Sequence, residues 1–254
     1  MKSIRINRIH KLLKGIETGD PSSVEVINPN KYIQHNPQTY EGREGLATLF
    51  KQLSLTNPRV NIVRIFEDGD YVFAHTEYDF SQSNIGFEVF KFEGDMTVEH
   101  WDNIQTREGS NSSGHTMVSG PTRVTNHDRT EENRKIVQTF VDNVLINGNH
   151  LEIDTYISSE KFKQHNPRMI DGTAALIDAL KHGSEKRVRI QYKKNHKVLA
   201  DGNFVLTVNE GTYNDIHSAI YDLFRVEDGK LVEHWDTVEA VPPKDKWKNS
   251  NGKF

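Results

Sequence analysis

The chain is written twice. Tyr32-Ile33-Gln34-His35-Asn36-Pro37 returns about 130 residues later as Phe162-Lys163-Gln164-His165-Asn166-Pro167. Glu99-His100-Trp101-Asp102 returns unchanged as Glu233-His234-Trp235-Asp236, and between these pairs Asp68-Gly69-Asp70-Tyr71-Val72-Phe73 is echoed by Asp201-Gly202-Asn203-Phe204-Val205-Leu206. Three matches in one order, their offsets drifting only from about 130 to about 134, mean a duplication with small loop insertions. A period of that length is too long for a solenoid unit, so each copy must build its own core. The 254 residues would allow one large domain or two ordinary ones, and the duplication decides for two. The polar stretch Arg107 to Gly114 and the later Ser119-Gly120-Pro121-Thr122 separate the copies. The expected division is a domain over 1–106, a linker over 107–127 and a second domain with a C-terminal tail over 128–254. Asn249 to Phe254 has the texture of Ser112 to Met117, so each copy is expected to end in a similar tail.

Composition narrows the partners. There are 32 basic and 36 acidic residues, and the resulting charge of −4 argues against a general nucleic-acid binder. The basic residues Lys186, Arg187, Arg189, Lys193, Lys194 and Lys197 read as a solvated strand face. A mean hydropathy of −0.70 and the lack of any apolar run near 18 residues exclude a membrane-spanning helix. With no cysteine there is neither a disulfide, a thiolate metal site nor a cysteine nucleophile. Charges scattered through the first twenty residues leave no signal-peptide core, and the expected location is cytoplasmic.

Each copy reads as helices followed by strands. Glu131 to Ile146 carries Ile136, Val137, Phe140, Val141, Val144 and Leu145 at helical spacing, with Thr130 as the expected N-cap and Gly148 as the stop. The first copy matches it with Ile4, Ile9, Leu12, Leu13 and Ile16 before Gly19. A short helix over Leu151 to Tyr156 and further helices over Gly42 to Leu53 and Gly172 to Lys181 follow the same spacing. Strands are expected over 60–66, 71–80, 86–92 and 97–105, and again over 188–200, 204–211, 217–226 and 231–238. Asp-Gly and Gly-Asp pairs supply hairpin turns between several of them. Helices first and antiparallel strands afterward give an α+β fold in which the helices pack on a curved sheet, leaving a pocket between the two.

Strand alternation selects the candidate chemistry. Asp222 shares a face with Phe224 and Val226, and Glu88 shares one with Phe90 in the first copy. A carboxyl on an apolar face should have a raised pKa, which suits a general acid or base; a hydrated carboxylate at the pocket mouth is the plainer reading. His35 and His165 stand before Asn-Pro, where an imidazole either shuttles protons or bonds its own turn. His75 lies on one strand face with Tyr71 and Phe73 and could project inward; its counterpart is Val208. Trp101 and Trp235 either wall the pocket or fill the core. No glycine-rich nucleotide loop, no Walker loop and no His-Glu-x-x-His occurs, and a dedicated metal is not expected.

The Tyr-Ile-Gln-His-Asn-Pro segment, the glycine-led helix, Asp-Gly-Asp-x-Val and the run from Asp222 to Asp236 together resemble the SnoaL-like proteins of the nuclear transport factor 2-like, ketosteroid isomerase-like superfamily. The resemblance spans roughly 1–106 and 128–240. It implies two tandem cone-shaped α+β barrels forming a pseudo-dimer in one chain, with self-association beyond that left open. It also implies cofactor-independent acid/base chemistry, an aldol-type cyclisation or an isomerisation, on a small apolar carbonyl compound. The family's acid/base carboxyl carries over to Asp222 and Glu88, and its pocket histidines to His35, His165 and His75. Tyr71, Phe73, Phe90, Trp101, Phe224 and Trp235 are the expected ligand contacts. The first copy has Glu for Asp and the second lacks the strand histidine, which keeps open a non-catalytic module that binds a small ligand or a protein in the same cones.

Overall fold

The computed structural model describes residues 3–181 and 189–254. Lys186, Arg187 and Val188 lie outside the described residues. The chain divides into two compact units, Met1–Arg107 with Val241–Phe254, and Glu108–Ala240.

In the first unit, α1 (Ile4–Thr18) opens on the Ser3 side chain, which accepts from the Ile6 N–H, and closes on Gly19 in the left-handed conformation. Two turns of 3₁₀ helix (Pro21–Val26), the two-residue strand β1 (Ile33–Gln34) and α2 (Gly42–Ser54) lead into four long strands. These are β2 (Arg59–Asp68), β3 (Tyr71–Asp79), β4 (Ser83–Glu93) and β5 (Met96–Thr106). The sheet order is β1-β5-β4-β3-β2, antiparallel except where β1 runs parallel to β5. One sheet face meets the helices: Ile9, Leu12, Leu13, Leu46 and Phe50 pack with Val72, Ala74, Tyr78 and Phe90 in one core.

The second unit repeats the plan. Helix α3 (Thr130–Phe140) runs on as a π-helical turn through Val141–Ile146, and the short α4 (Ile153–Tyr156), β6 (Lys163–Gln164) and α5 (Ala174–Leu180) follow. Strands β7 (Ile190–Asp201), β8 (Phe204–Tyr213), β9 (Ile216–Glu227) and β10 (Lys230–Ala240) form a sheet ordered β6-β10-β9-β8-β7, with β6 parallel to β10. Val137, Phe140, Val144, Ile153, Leu176, Phe224 and Val226 belong to its core. Thr130 does not cap α3; its hydroxyl donates to the His127 carbonyl and accepts from the Gly202 N–H in the β7–β8 turn. That turn needs glycine twice over. Gly202 has φ +55°, and a Cβ there would lie 2.1 Å from the Thr125 carbonyl oxygen.

The tails are where the expected domain limits and the structure part. Val241–Phe254 is built into the first unit: Lys248 N–H bonds the Pro37 carbonyl, and the Asn249 side chain donates to the carbonyls of Asn36 and Thr39. The segment from Glu108 onward is built into the second unit in the same manner. The Asn111 amide, 5% exposed, donates to the carbonyls of Gln164, Asn166 and Met169. The physical reason is shared. The Gln-His-Asn-Pro turn leaves a row of buried carbonyls that need donors, and an asparagine-bearing segment supplies them.

Candidate active site

Register puts four chain positions on the helix-facing side of each sheet. Glu88 on β4 stands opposite Asp102 on β5, and Phe90 opposite His100; in the second unit Asp222 faces Asp236 and Phe224 faces His234. Adjacent strands in register present the same face at paired positions, so carboxyl, imidazole and second carboxyl converge. All six side chains are buried.

In the first unit, His100 Nε2 lies 2.7 Å from Glu88 Oε2, and the Tyr78 hydroxyl donates to Glu88 Oε1 at 2.6 Å. His100 Nδ1 lies 3.0 Å from Gln34 Oε1, which also accepts the Asn36 backbone N–H. That amide donor fixes the oxygen end of Gln34, so Nδ1 carries a hydrogen and donates. The bond between Nε2 and Glu88 therefore needs a second proton, held by the imidazole or by the carboxyl. Burial pushes Glu88 up, against the opposing pull of the His100 bond. Asp102 Oδ2 accepts from the Asn36 amide at 2.7 Å, and its Oδ1 meets the Lys253 ammonium at 3.2 Å. Burial would raise Asp102, but Lys253, His100 and Asn36 together hold it below the usual aspartate value. Glu88, His100, Asp102 and Tyr78 line a cavity of about 70 Å³ whose remaining wall is chiefly apolar, including Leu12 and Phe50. That is room for a few waters or one small organic molecule.

The second unit builds the same pair with different support. His234 Nε2 is 2.9 Å from Asp222 Oδ1, and His234 Nδ1 is 2.9 Å from Gln164 Oε1, again fixed by the Asn166 backbone N–H. Asp222 also accepts from the Tyr192 hydroxyl at 3.0 Å and the Asn209 amide at 2.8 Å. The tyrosine comes from β7, whereas Tyr78 of the first unit comes from β3, where the second unit has Gly211. Burial pulls His234 down, but Asp222, by bond and by charge, and then Asp236 raise it above the ordinary histidine value, which favours imidazolium beside carboxylate. Asp236 Oδ2 accepts from the Asn166 amide at 2.6 Å. Its Oδ1 is buried and has no hydrogen-bond partner among the described residues. Burial first, and the charge of Asp222 with it, push Asp236 up to about 6. In both units the donor atoms of the three groups lie within 4.8 Å of one another, a geometry able to hold a cation.

Of the residues selected from the sequence, Glu88 with Phe90 and Asp222 with Phe224 stand at these clusters. His35, His165, His75, Tyr71, Phe73, Trp101 and Trp235 do not. His35 bonds Glu99 at 3.0 Å and stacks on Trp101 at 4.6 Å; Tyr71 approaches the same indole. His165 likewise bonds Glu233 at 2.9 Å and stacks on Trp235 at 4.6 Å, and the Trp235 indole N–H donates to the Ser119 carbonyl. Phe73 stacks on Phe66, and His75 stacks on Phe87 beside Arg64. Alternation assigns all of these to the other sheet face, one residue out of phase with the carboxyls. His100, Asp102, His234, Asp236, Tyr78, Tyr192, Asn209, Gln34 and Gln164 were not selected. The signal for four of them was the repeated Glu-His-Trp-Asp itself, whose His and Asp share a face.

No family model and no curated protein matches the chain. Among solved structures it is similar to IdmH of Streptomyces antibioticus, a candidate polyketide cyclase, at 17% identity over 39% of this chain and 90% of that one, TM-score 0.35. An LEH-like epoxide hydrolase of M. tuberculosis is 24% identical over 44% and 85%, TM-score 0.35, and a candidate ketosteroid isomerase of Kribbella flavida 21% over 45% and 84%, TM-score 0.37. Each of these structures matches 39–45% of this chain, which builds two five-stranded sheets.

Proposed function

We propose that the protein is a cofactor-independent acid/base enzyme that moves a proton beside the carbonyl of a small apolar compound, as an isomerase or an aldol-type cyclase does. The carrying observation is the buried carboxyl–imidazole pair built in both units, Glu88–His100 and Asp222–His234. Each pair holds one exchangeable proton between two atoms, with the far imidazole nitrogen pinned by a glutamine. Each carboxyl oxygen can accept two bonds, so Glu88 and Asp222 keep an acceptor position for a proton taken from carbon. The imidazole side then returns a proton to oxygen or to a second carbon, and no net proton is consumed. The buried tyrosine hydroxyls stay protonated, since burial and then the neighbouring carboxyl push Tyr78 and Tyr192 well above the usual phenol value, and they hold the carboxyls in place. The first unit's cavity supports a substrate of few heavy atoms.

The test is deuterium exchange at the α-carbons of cyclohexanone in heavy water, followed by proton NMR. The double variant Glu88→Gln, Asp222→Asn is expected to lose roughly 10²-fold or more of the catalysed rate, the usual contribution of a positioned acid/base group. The single variants apportion the rate between the units. A double variant that exchanges as fast as the parent chain ends this reading.

A further inference from the structure

We infer that the second unit binds a small primary ammonium compound on Asp236 Oδ1, so that the substrate of the Asp222–His234 pair is a carbonyl compound with one primary amine on an otherwise apolar body. The clause about the substrate rests on the proposed function; the binding site stands on the geometry alone.

The first unit supplies the template. Asp102 and Asp236 are equivalent in register, each opposite the β-strand carboxyl of its own sheet. Each gives Oδ2 to the asparagine of its Gln-His-Asn-Pro turn, at 2.7 Å from Asn36 and 2.6 Å from Asn166. They part at Oδ1. In the first unit that oxygen faces the Lys253 ammonium, 3.2 Å away and buried. In the second it is buried and finds no hydrogen-bond partner among the described residues, on a residue only 4% exposed.

The segment that delivers the ammonium in the first unit has an apolar counterpart in the second. His35 Nδ1 bonds the Gly252 carbonyl, and the residue after it is Lys253. His165 Nδ1 bonds the Thr116 carbonyl, and the residue after it is Met117, buried and without charge. A buried carboxylate oxygen left without a donor is costly, and native structures fill such positions with protein, water or ligand. The group that fills this position in the sister unit is an alkylammonium. The same sheet face is apolar at the neighbouring register pair: Phe224, opposite His234, stacks on it at 4.8 Å and meets Phe140 edge-on at 5.6 Å.

The probe is n-butylammonium chloride, which reproduces the lysine side chain from Cγ outward with one added carbon, titrated calorimetrically into the whole chain at neutral pH. The expected result is one saturable site per chain, weakened tenfold or more by Asp236→Asn and unfilled by n-butanol. Absence of saturable binding, binding that Asp236→Asn leaves unchanged, or binding of zinc that n-butylammonium fails to displace overturns the inference. Failure here with cyclohexanone exchange intact leaves the acid/base reading standing and removes the amine. Binding here with no exchange removes the acid/base reading and leaves the site.

Discussion

Lys253→Met is expected to destabilise the first unit by about 3–5 kcal/mol at neutral pH, the cost of breaking a buried ion pair by removing one partner. Lys253 is 2% exposed and Asp102 5%, so neither charge has solvent to fall back on. Methionine keeps most of the side-chain volume, so the loss reports the ammonium rather than a cavity. The asparagine at position 36 remains on Oδ2, but Oδ1 is left bare. The pH dependence separates this from a packing defect. The folded-state pKa of Asp102 lies below its ordinary value of 3.8, burial being outweighed by Lys253, His100 and Asn36. Its contribution is therefore present above the unfolded value and lost as pH falls through the lowered folded one. The gap between parent and variant should be widest at neutral pH and close in acid, where the stranded carboxyl takes up a proton. Hydrogen exchange read by mass spectrometry on peptides from β4 and β5, against β9 and β10 as internal reference, places the loss in the right unit. A gap that is the same in acid as at neutrality would contradict the account. Adding Asp102→Asn to Lys253→Met should recover much of the loss, because both buried charges are then gone.

Much of this architecture is legible in the sequence because it is periodic or repeated. The duplication announces two units, the 3.6-residue spacing from Ile4 to Ile16 and from Ile136 to Leu145 announces the helices, and Asp-Gly pairs announce the turns. Glu88 and Asp222 were legible as carboxyls on apolar strand faces. Their partners were not, and parity is the reason. Alternation shows that His100 and Asp102 share a face with each other, but only the pairing of Phe90 with His100 shows that the face is the one bearing Glu88. A shift of one residue exchanges the two faces of a strand entirely. His75 and Phe73 are therefore out of phase with Ala74, Thr76 and Tyr78, and His35 with Gln34, whose register partner is His100. Tyr192 carried no signal, because the two units draw their tyrosine from different strands and the repeat hides a substitution that swaps elements. Lys253 carried none either: a tail pairing over 151 residues with Asp102 leaves no local pattern to read.

Asp236→Asn is expected to stabilise the second unit above pH ~6 by up to about 3 kcal/mol, even as it removes the proposed ammonium site. Burial, aided by the charge of Asp222, raises Asp236 from 3.8 to about 6. A carboxyl whose folded pKa is raised binds its proton more tightly in the native state than in the unfolded one. Between the two values the native state holds more protons, so stability falls as pH rises, and the loss is complete above the folded value. A rise from 3.8 to about 6 corresponds to about 3 kcal/mol, which is the upper bound. Asparagine cannot ionise and escapes the loss. It keeps an oxygen for the Asn166 amide but turns an NH₂ into the open position, so the net gain lies below the bound. His234 is itself raised, in part by Asp236, and titrates in the same direction, so the informative quantity is the difference between the two chains. Denaturant melts of parent and variant from about pH 4 to about pH 8 measure it: equal stability in acid and a variant that pulls ahead through pH ~6 are expected. A parent chain whose second unit holds its stability across that range would contradict the raised value. n-Butylammonium should relieve the same penalty in the parent chain by giving Asp236 the cation that Lys253 gives Asp102, and only above pH ~6, where the carboxyl is ionised. The residue that costs the fold stability is then the one that the bound ligand repays, which is the usual arrangement of a binding site left polar at its core.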